Sequence, residues 1–129
     1  MYRARAIRRA VRILLAPAVL AACDPTDVLT HDVTVPSVAI SGIANGETII
    51  ENRAISVSVS DADSDLIEFS IFLDGSKIFT SVPDAKSATK GLTLVGGRDN
   101  VGNHLIMVRA VDQAENSRDL SVAYTVFAP

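Results

Sequence analysis

From Ala54 to Ser60 the chain alternates without a break, with Ile55, Val57 and Val59 on one parity and Ser56, Ser58 and Ser60 on the other. Side chains two residues apart share a face only in an extended strand, so this run predicts a strand with one buried face. Leu66 to Leu73 alternates again and places Ile67, Phe69, Ile71 and Leu73 inside. Asn103 to Asp112 reads as a long strand and Leu120 to Phe127 as a final one. After Cys23 no stretch of ten or more residues carries a helical period.

Shorter pieces complete the pattern. Val33 to Ser41 reads as an edge strand, because Pro36 has no N–H to give to a ladder. Asn45-Gly46 is a turn signal, and Thr48 to Glu51 continues the edge. Asp61 to Asp65 is a loop. Asp74-Gly75 turns the chain into Lys77–Thr80. Ser81 to Lys90 looks polar and irregular, Gly91 to Val95 forms a short strand, Gly96 to Gly102 a long turn and Gln113 to Asp119 a loop. About seven short strands with turns every 8–12 residues predict an all-β fold, an immunoglobulin-like Greek-key β-sandwich.

The first 22 residues are of another kind. Arg3, Arg5, Arg8, Arg9 and Arg12 come with no acid, and Ile13 to Ala22 is apolar with small residues at its end. A charged start, a short apolar run and small residues before a cut make a secretory signal. The apolar run is shorter than the roughly 20 residues that span a bilayer. Leu20-Ala21-Ala22-Cys23 resembles the lipobox of bacterial lipoproteins. That resemblance implies cleavage before Cys23, the chain's only cysteine, which then carries a diacylglyceryl group. Two acyl chains suffice for stable membrane attachment. Asp24 resembles the sorting signal that retains enterobacterial lipoproteins in the inner membrane. The expected organisation is a signal peptide over 1–22, a lipidated Cys23 and tether over 23–32, and a sandwich domain over 33–129. The domain would lie on the extracytoplasmic side, in the cell envelope, and the extended tether residues 24–32 would reach about 30 Å.

Cleavage changes the charge balance. All five arginines of the signal leave and no acid does, so twelve basic residues become seven against fifteen acids, a net of −8. Such a domain is not expected to bind nucleic acid by neutralising phosphates, nor to lie on an anionic lipid surface by itself. With Cys23 lipidated, no thiol remains to form a disulfide, although the compartment would allow one.

The domain also resembles bacterial immunoglobulin-like modules. Pro36 to Gly42, Ile55-x-Val57-x-Val59-x-Asp61 and Phe72-Leu73-Asp74-Gly75 are similar to their first half. The segment Gly102-Asn103-His104-x-Ile106-x-Val108-x-Ala110-x-Asp112-x-Ala114-x-Asn116 is similar to their ending, with Glu115 where glycine is usual. The Cys…Trp…Cys signature of antibody domains is absent. The resemblance implies that Ile106, Val108, Ala110 and Asp112 face inward and Leu105, Met107, Arg109 and Val111 outward.

Catalysis is not expected, and no catalytic residue is assigned. His31 and His104 have no nucleophile arranged with them, there is no G-x-S-x-G elbow, and the carboxylates sit in loops. Asp61-x-Asp63-x-Asp65 invites a calcium reading. As an EF-hand loop it fails, since Leu66 replaces the glycine and Phe72 the final glutamate. In an immunoglobulin-like sandwich, however, this loop shares a pole with the loop before the last strand. That juxtaposes Asp61, Asp63 and Asp65 with Asp112, Glu115 and Asn116, and it brings Asp32 into consideration because the chain comes in at the same pole. Cadherin-type modules hold calcium between domains with loop oxygens of this kind. Calcium on Asp61, Asp63, Asp65, Asp112 and Asn116 is one reading; a solvated acidic turn, with Asp112 bonded to its own loop, is the other. A glycan site would need aromatic platforms, and the chain has no Trp.

The outer face of the long strand suggests a partner surface. Setting Phe72 opposite Leu105 puts Ser70 opposite Met107 and pairs Glu68 with Arg109. A register that places Phe127 beside Leu105 then gathers Phe72, Leu105, Met107 and Phe127 into an apolar patch, unless Ile78, Phe79 or the Ser81–Lys90 segment covers it. The resulting expectation is a membrane-anchored lipoprotein with one non-catalytic immunoglobulin-like interaction or adhesion module and no obligatory cofactor. A calcium- or glycan-binding module is the alternative, ahead of a small hydrolase or inhibitor lipoprotein.

Overall fold

In the computed structural model, which describes residues 32–129, each alternating run becomes a strand. There are eight: β1 (Ser37–Ser41), β2 (Glu47–Ile49), β3 (Arg53–Ser60), β4 (Leu66–Leu73), β5 (Ser76–Ser81), β6 (Ser87–Leu94), β7 (Gly102–Asp112) and β8 (Ser117–Val126). One sheet has the order β1-β3-β6 and the other β2-β8-β7-β4-β5. Consecutive strands β2, β3 and β4 change sheets, as does the chain between β5, β6 and β7, so two sheets face each other across one core. Val57, Val59, Leu66, Phe69, Ile71, Ile106 and Val108 fill it, each at most 1 % exposed. Burying a side chain of this size contributes roughly 1.5–3 kcal/mol.

The first strand is split between the sheets. β1 pairs antiparallel with β3, whereas β2 pairs parallel with β8. The switch occurs at Gly42, where φ is +96° and a Cβ would stand 2.7 Å from the carbonyl oxygen of Ala54. Only glycine combines that conformation with that approach. Past the switch, Ala123 N donates to Asn45 Oδ1 (2.9 Å) and Gly46 N donates to the Ala123 carbonyl (2.7 Å), so the Asn45-Gly46 turn is bound to β8. The Arg53 guanidinium closes the corner by donating to the Gly42 carbonyl (2.9 Å) and to Glu47 Oε2 (2.7 Å).

Three expectations need correction. Ile67 is not inside. The pairing of β4 with β7 slips between Leu66 and Glu68, and this bulge puts Leu66 in the core and turns Ile67 out. An extra residue in one strand reverses the parity beyond it. Second, Ser81–Lys90 is not all irregular. β6 starts at Ser87 and pairs with β3 along its length. Its period is disguised because the parity of Ala88, Leu92 and Leu94 includes Lys90, whose ammonium lies 5.0 Å over the Phe79 ring. The stem covers apolar surface and the charge stays in water. Third, the first strand begins at Ser37, with buried Pro36 just ahead of it.

Candidate functional site

Two groups of polar side chains stand at opposite ends of β7. At the end where the described chain begins, Asp32, Asp61 and Asp112 converge, each bringing one carboxylate oxygen within 4.8 Å of the other two. Asp61 follows the last residue of β3 and Asp112 ends β7, so two strand ends carry them to this pole. Both are buried, at 5 % and 0 % exposure, and Asp32 is half-buried.

Asp61 and Asp112 are each held by their own loop, and Asp32 by its own segment together with Ser64 of the Asp61 loop. Asp61 Oδ1 accepts the N–H groups of Asp63 (2.9 Å) and Ser64 (2.8 Å), while Asp61 Oδ2 is buried and has no hydrogen-bond partner. Asp112 Oδ1 accepts Asn116 N (2.9 Å) and Oδ2 accepts Asn116 Nδ2 (3.1 Å). Asp32 Oδ1 accepts Thr34 N (2.8 Å), and its Oδ2 takes the Ser64 hydroxyl. The Ser64 hydroxyl first, then the Thr34 amide, hold the Asp32 carboxyl below the ordinary aspartate range.

The other predicted ligands are placed differently. Asp63 is exposed and takes the Thr34 hydroxyl. Asp65 stands 3.9 Å from the Lys86 ammonium, and its carbonyl receives Gln113 N (3.0 Å). Asn116 acts as a bracket, because its side-chain amide donates both to Asp112 and to the Asp32 carbonyl (3.1 Å). Glu115 takes φ +67° in the turn between β7 and β8, at the position where glycine is usual in the modules the chain resembles. Asp32 is the member that sequence spacing undervalued, since nothing nearby in the chain marks it.

At the other end of β7, His104 lies between Asp74 and Asn100 and stacks on Tyr124, with ring centroids 5.2 Å apart. Asp74, at φ +51° in the β4–β5 turn, also accepts Leu105 N (2.8 Å) and gives its own N–H to the Leu105 carbonyl (2.8 Å). These bonds dock the turn on β7 and set the register of the whole pair. Phe72 faces Met107, Ser70 faces Arg109 and Glu68 faces Val111. The expected Phe72–Leu105 and Glu68–Arg109 pairings are therefore each displaced. Arg109 instead faces Asp119 of β8 and holds its carboxylate at 3.0 and 3.1 Å.

Phe127 is not beside Leu105. Ala123 is, four residues back along β8, or about 13 Å at 3.3 Å per residue. Phe72, Leu105 and Met107 do come together, and with Gly75 and Arg109 they line a shallow apolar depression. Phe79 turns inward to meet Phe69 edge-on at 5.3 Å, and after Ser81 the chain crosses to the other sheet, so neither covers the depression.

No protein-family model matches this sequence, and no curated protein is detectably similar to it. Solved structures do resemble its fold. The fibronectin(III)-like modules of CbhA from Clostridium thermocellum superpose with a TM-score of 0.50 at 22% identity, over 74% of this chain and 48% of that one. The endo-β-1,4-mannanase of Thermotoga petrophila gives 0.55 at 13% identity, over 76% of this chain and 21% of that one. The chain thus spans about half the length of the first and a fifth of the second. The class is an immunoglobulin-like, fibronectin(III)-like β-sandwich module.

Proposed function

We propose that the protein is a lipid-anchored, non-catalytic module that meets a protein partner through the outer face of its larger sheet. The exposure of Leu105 carries this reading. It stands 46 % exposed in mid-sheet with Phe72 and Met107 beside it, in the depression described above. Grouped apolar side chains on a sheet exterior mark interaction surfaces. Leu105 is seven residues along β7 from Asp112, roughly 24 Å from the pole where the chain comes in. A module tethered at one end would present this face at the other.

The anchor rests on the lipobox residues Leu20 to Cys23, which lie outside the described residues, as do Asp24 and the rest of the tether up to His31. Among the described residues no helix is long and apolar enough to cross a membrane; in this reading the lipid on Cys23 makes the attachment. A protein partner is favoured over lipid headgroups because the domain is strongly acidic; of the two cations at the depression, Arg109 is paired with Asp119 and the Lys77 ammonium lies 5.6 Å over the Phe72 ring.

Leu105→Glu tests the reading. The expected outcome is a fold of nearly unchanged stability with weakened capture of envelope proteins or weakened self-association. A loss of several kcal/mol on chemical denaturation would mean that this face is core, and unchanged association would remove the surface from consideration.

A further inference from the structure

We propose that Asp32, Asp61 and Asp112 bind one divalent cation, calcium by size and donor chemistry, and that the ion fastens the incoming chain to the sandwich. The inference is independent of the partner surface, which lies at the other end of β7.

The carboxylates converge without a counter-charge. The cationic side chains of the described residues that form ion pairs do so with Glu47, Asp65, Asp74 and Asp119, and none pairs with these three aspartates. Burial removes the water that would otherwise screen Asp61 and Asp112 from each other. A structural turn accounts for Asp61 Oδ1, which receives two N–H groups, but leaves Asp61 Oδ2 buried without a donor. Buried carboxylate oxygens in native proteins have partners, and an orphan calls for an ion or water. The hydrogen bonds to Asp32 and Asp112 still leave lone pairs on their oxygens for a cation.

The donor set is all oxygen, which suits a hard cation rather than zinc or copper. Ligands around calcium lie at about 2.3–2.6 Å in flexible arrangements, and three oxygens already within 4.8 Å of one another can close on such an ion. Magnesium demands near-ideal octahedral geometry at about 2.0–2.1 Å and gives up its own water reluctantly, which a site of buried carboxylates suits less well. Three protein carboxylates leave room for waters to complete six to eight ligands.

The ion would join segments distant in sequence. Asp32 precedes β1, Asp61 lies between β3 and β4, and Asp112 ends β7. Asn116 spans two of them already, donating to Asp112 and to the Asp32 carbonyl. With the ion bound, the segment from Asp32 to buried Pro36 becomes a fixed part of the module rather than an extension of the tether.

The test uses the detergent-solubilised protein, stripped with chelator and titrated with calcium chloride in 150 mM salt. Calcium should raise the melting temperature saturably at one ion per chain, with at least tenfold preference over magnesium. Cleavage by a broad protease within residues 32–36 should slow at least tenfold. Asp61→Asn keeps an oxygen for the Asp63 and Ser64 amides and should abolish both effects, as should Asp32→Asn at the half-buried position if the first variant folds poorly. Asp63→Asn and Asp65→Asn should leave them intact. Identical melting in calcium and chelator would overturn the proposal. So would an equal response to magnesium, or a calcium response that survives in the Asp32→Asn variant, either of which marks general screening of an acidic domain.

Discussion

Both ring nitrogens of His104 face oxygen acceptors: Nδ1 donates to Asp74 Oδ2 at 2.8 Å and Nε2 to the Asn100 carbonyl at 2.6 Å. A carboxylate and a carbonyl only accept, so the ring satisfies both by carrying two protons. The Asp74 carboxylate first, then the Asn100 carbonyl, raise the His104 pKa above 6.5, and His104 in turn is the main cause lowering that of Asp74 below 3.8.

The sign of the pH dependence follows. Stability from His104 is present in full below its unfolded value near 6.5 and is lost as pH rises through the raised folded value. Stability from Asp74 is present above about 3.8 and is lost as pH falls through its lowered folded value. Melting temperature should therefore fall as pH rises past neutrality, and His104→Gln should remove that part of the fall. Parallel profiles for the two proteins from pH 5 to 9 would show that the imidazolium contributes nothing.

Arg109 and Asp119 face each other directly across β7 and β8, each side chain 43% exposed. Two parallel bonds favour the pair and solvent screening weakens it, so Asp119→Ala should cost no more than about 1 kcal/mol. Urea denaturation in 1 M salt should shrink that cost. Glu68→Ala, at the position first paired with Arg109, should cost less than Asp119→Ala.

The β4 bulge gives Ile67 and Phe69 opposite fates. Phe69 is 1 % exposed, and Phe69→Ala should cost about 3–5 kcal/mol. Ile67 is 38 % exposed, and Ile67→Ser should stay within about 0.5 kcal/mol. An unbroken alternation would make both changes severe, so denaturation of the two variants distinguishes the registers.

Gly42 and Gly46 separate strain from crowding. Both have positive φ, +96° and +85°, but a Cβ at Gly46 meets nothing within 4 Å, while one at Gly42 meets Ala54 backbone at 2.7 Å. Gly46→Ala should cost about 1 kcal/mol and Gly42→Ala clearly more. Equal losses would show that the β1–β2 corner relaxes freely.

Cys23→Ala should leave an uncleaved precursor that takes up no labelled fatty acid. If wild type and variant show the same mass and the same detergent partitioning, the lipobox reading fails.

How much of this was legible follows from the range of each interaction. The alternation of β3 could be read from the chain, because a buried sheet face imposes period two locally, whereas the inward set Ile106, Val108, Ala110 and Asp112 came from the resemblance to immunoglobulin-like modules. The meeting of Asp61 with Asp112 followed from topology once a sandwich was assumed. Asp65 was drawn into the same group by its spacing, although its carboxylate stands beside Lys86. Only the second half of β6 was legible, as a short strand from Gly91, because at Lys90 an inward position is occupied by a charge that lies over Phe79 of the other sheet.

By itself the sequence determined the two-sheet class, most of the strands and the likeness of Leu20–Cys23 to a lipobox, all of which depend on residues near one another in the chain. Only the tertiary structure decided which strand positions stand opposite. Asp74 locks onto both backbone groups of Leu105, and the bulge at Ile67 absorbs one residue, so Phe72 meets Met107, while the separate β7–β8 ladder brings Arg109 opposite Asp119. Register depends on a few bonds at the strand ends, and a slip of one residue reverses every side chain beyond it. The same long-range closure gathered Asp32, Asp61 and Asp112, separated by up to 80 residues, within 4.8 Å.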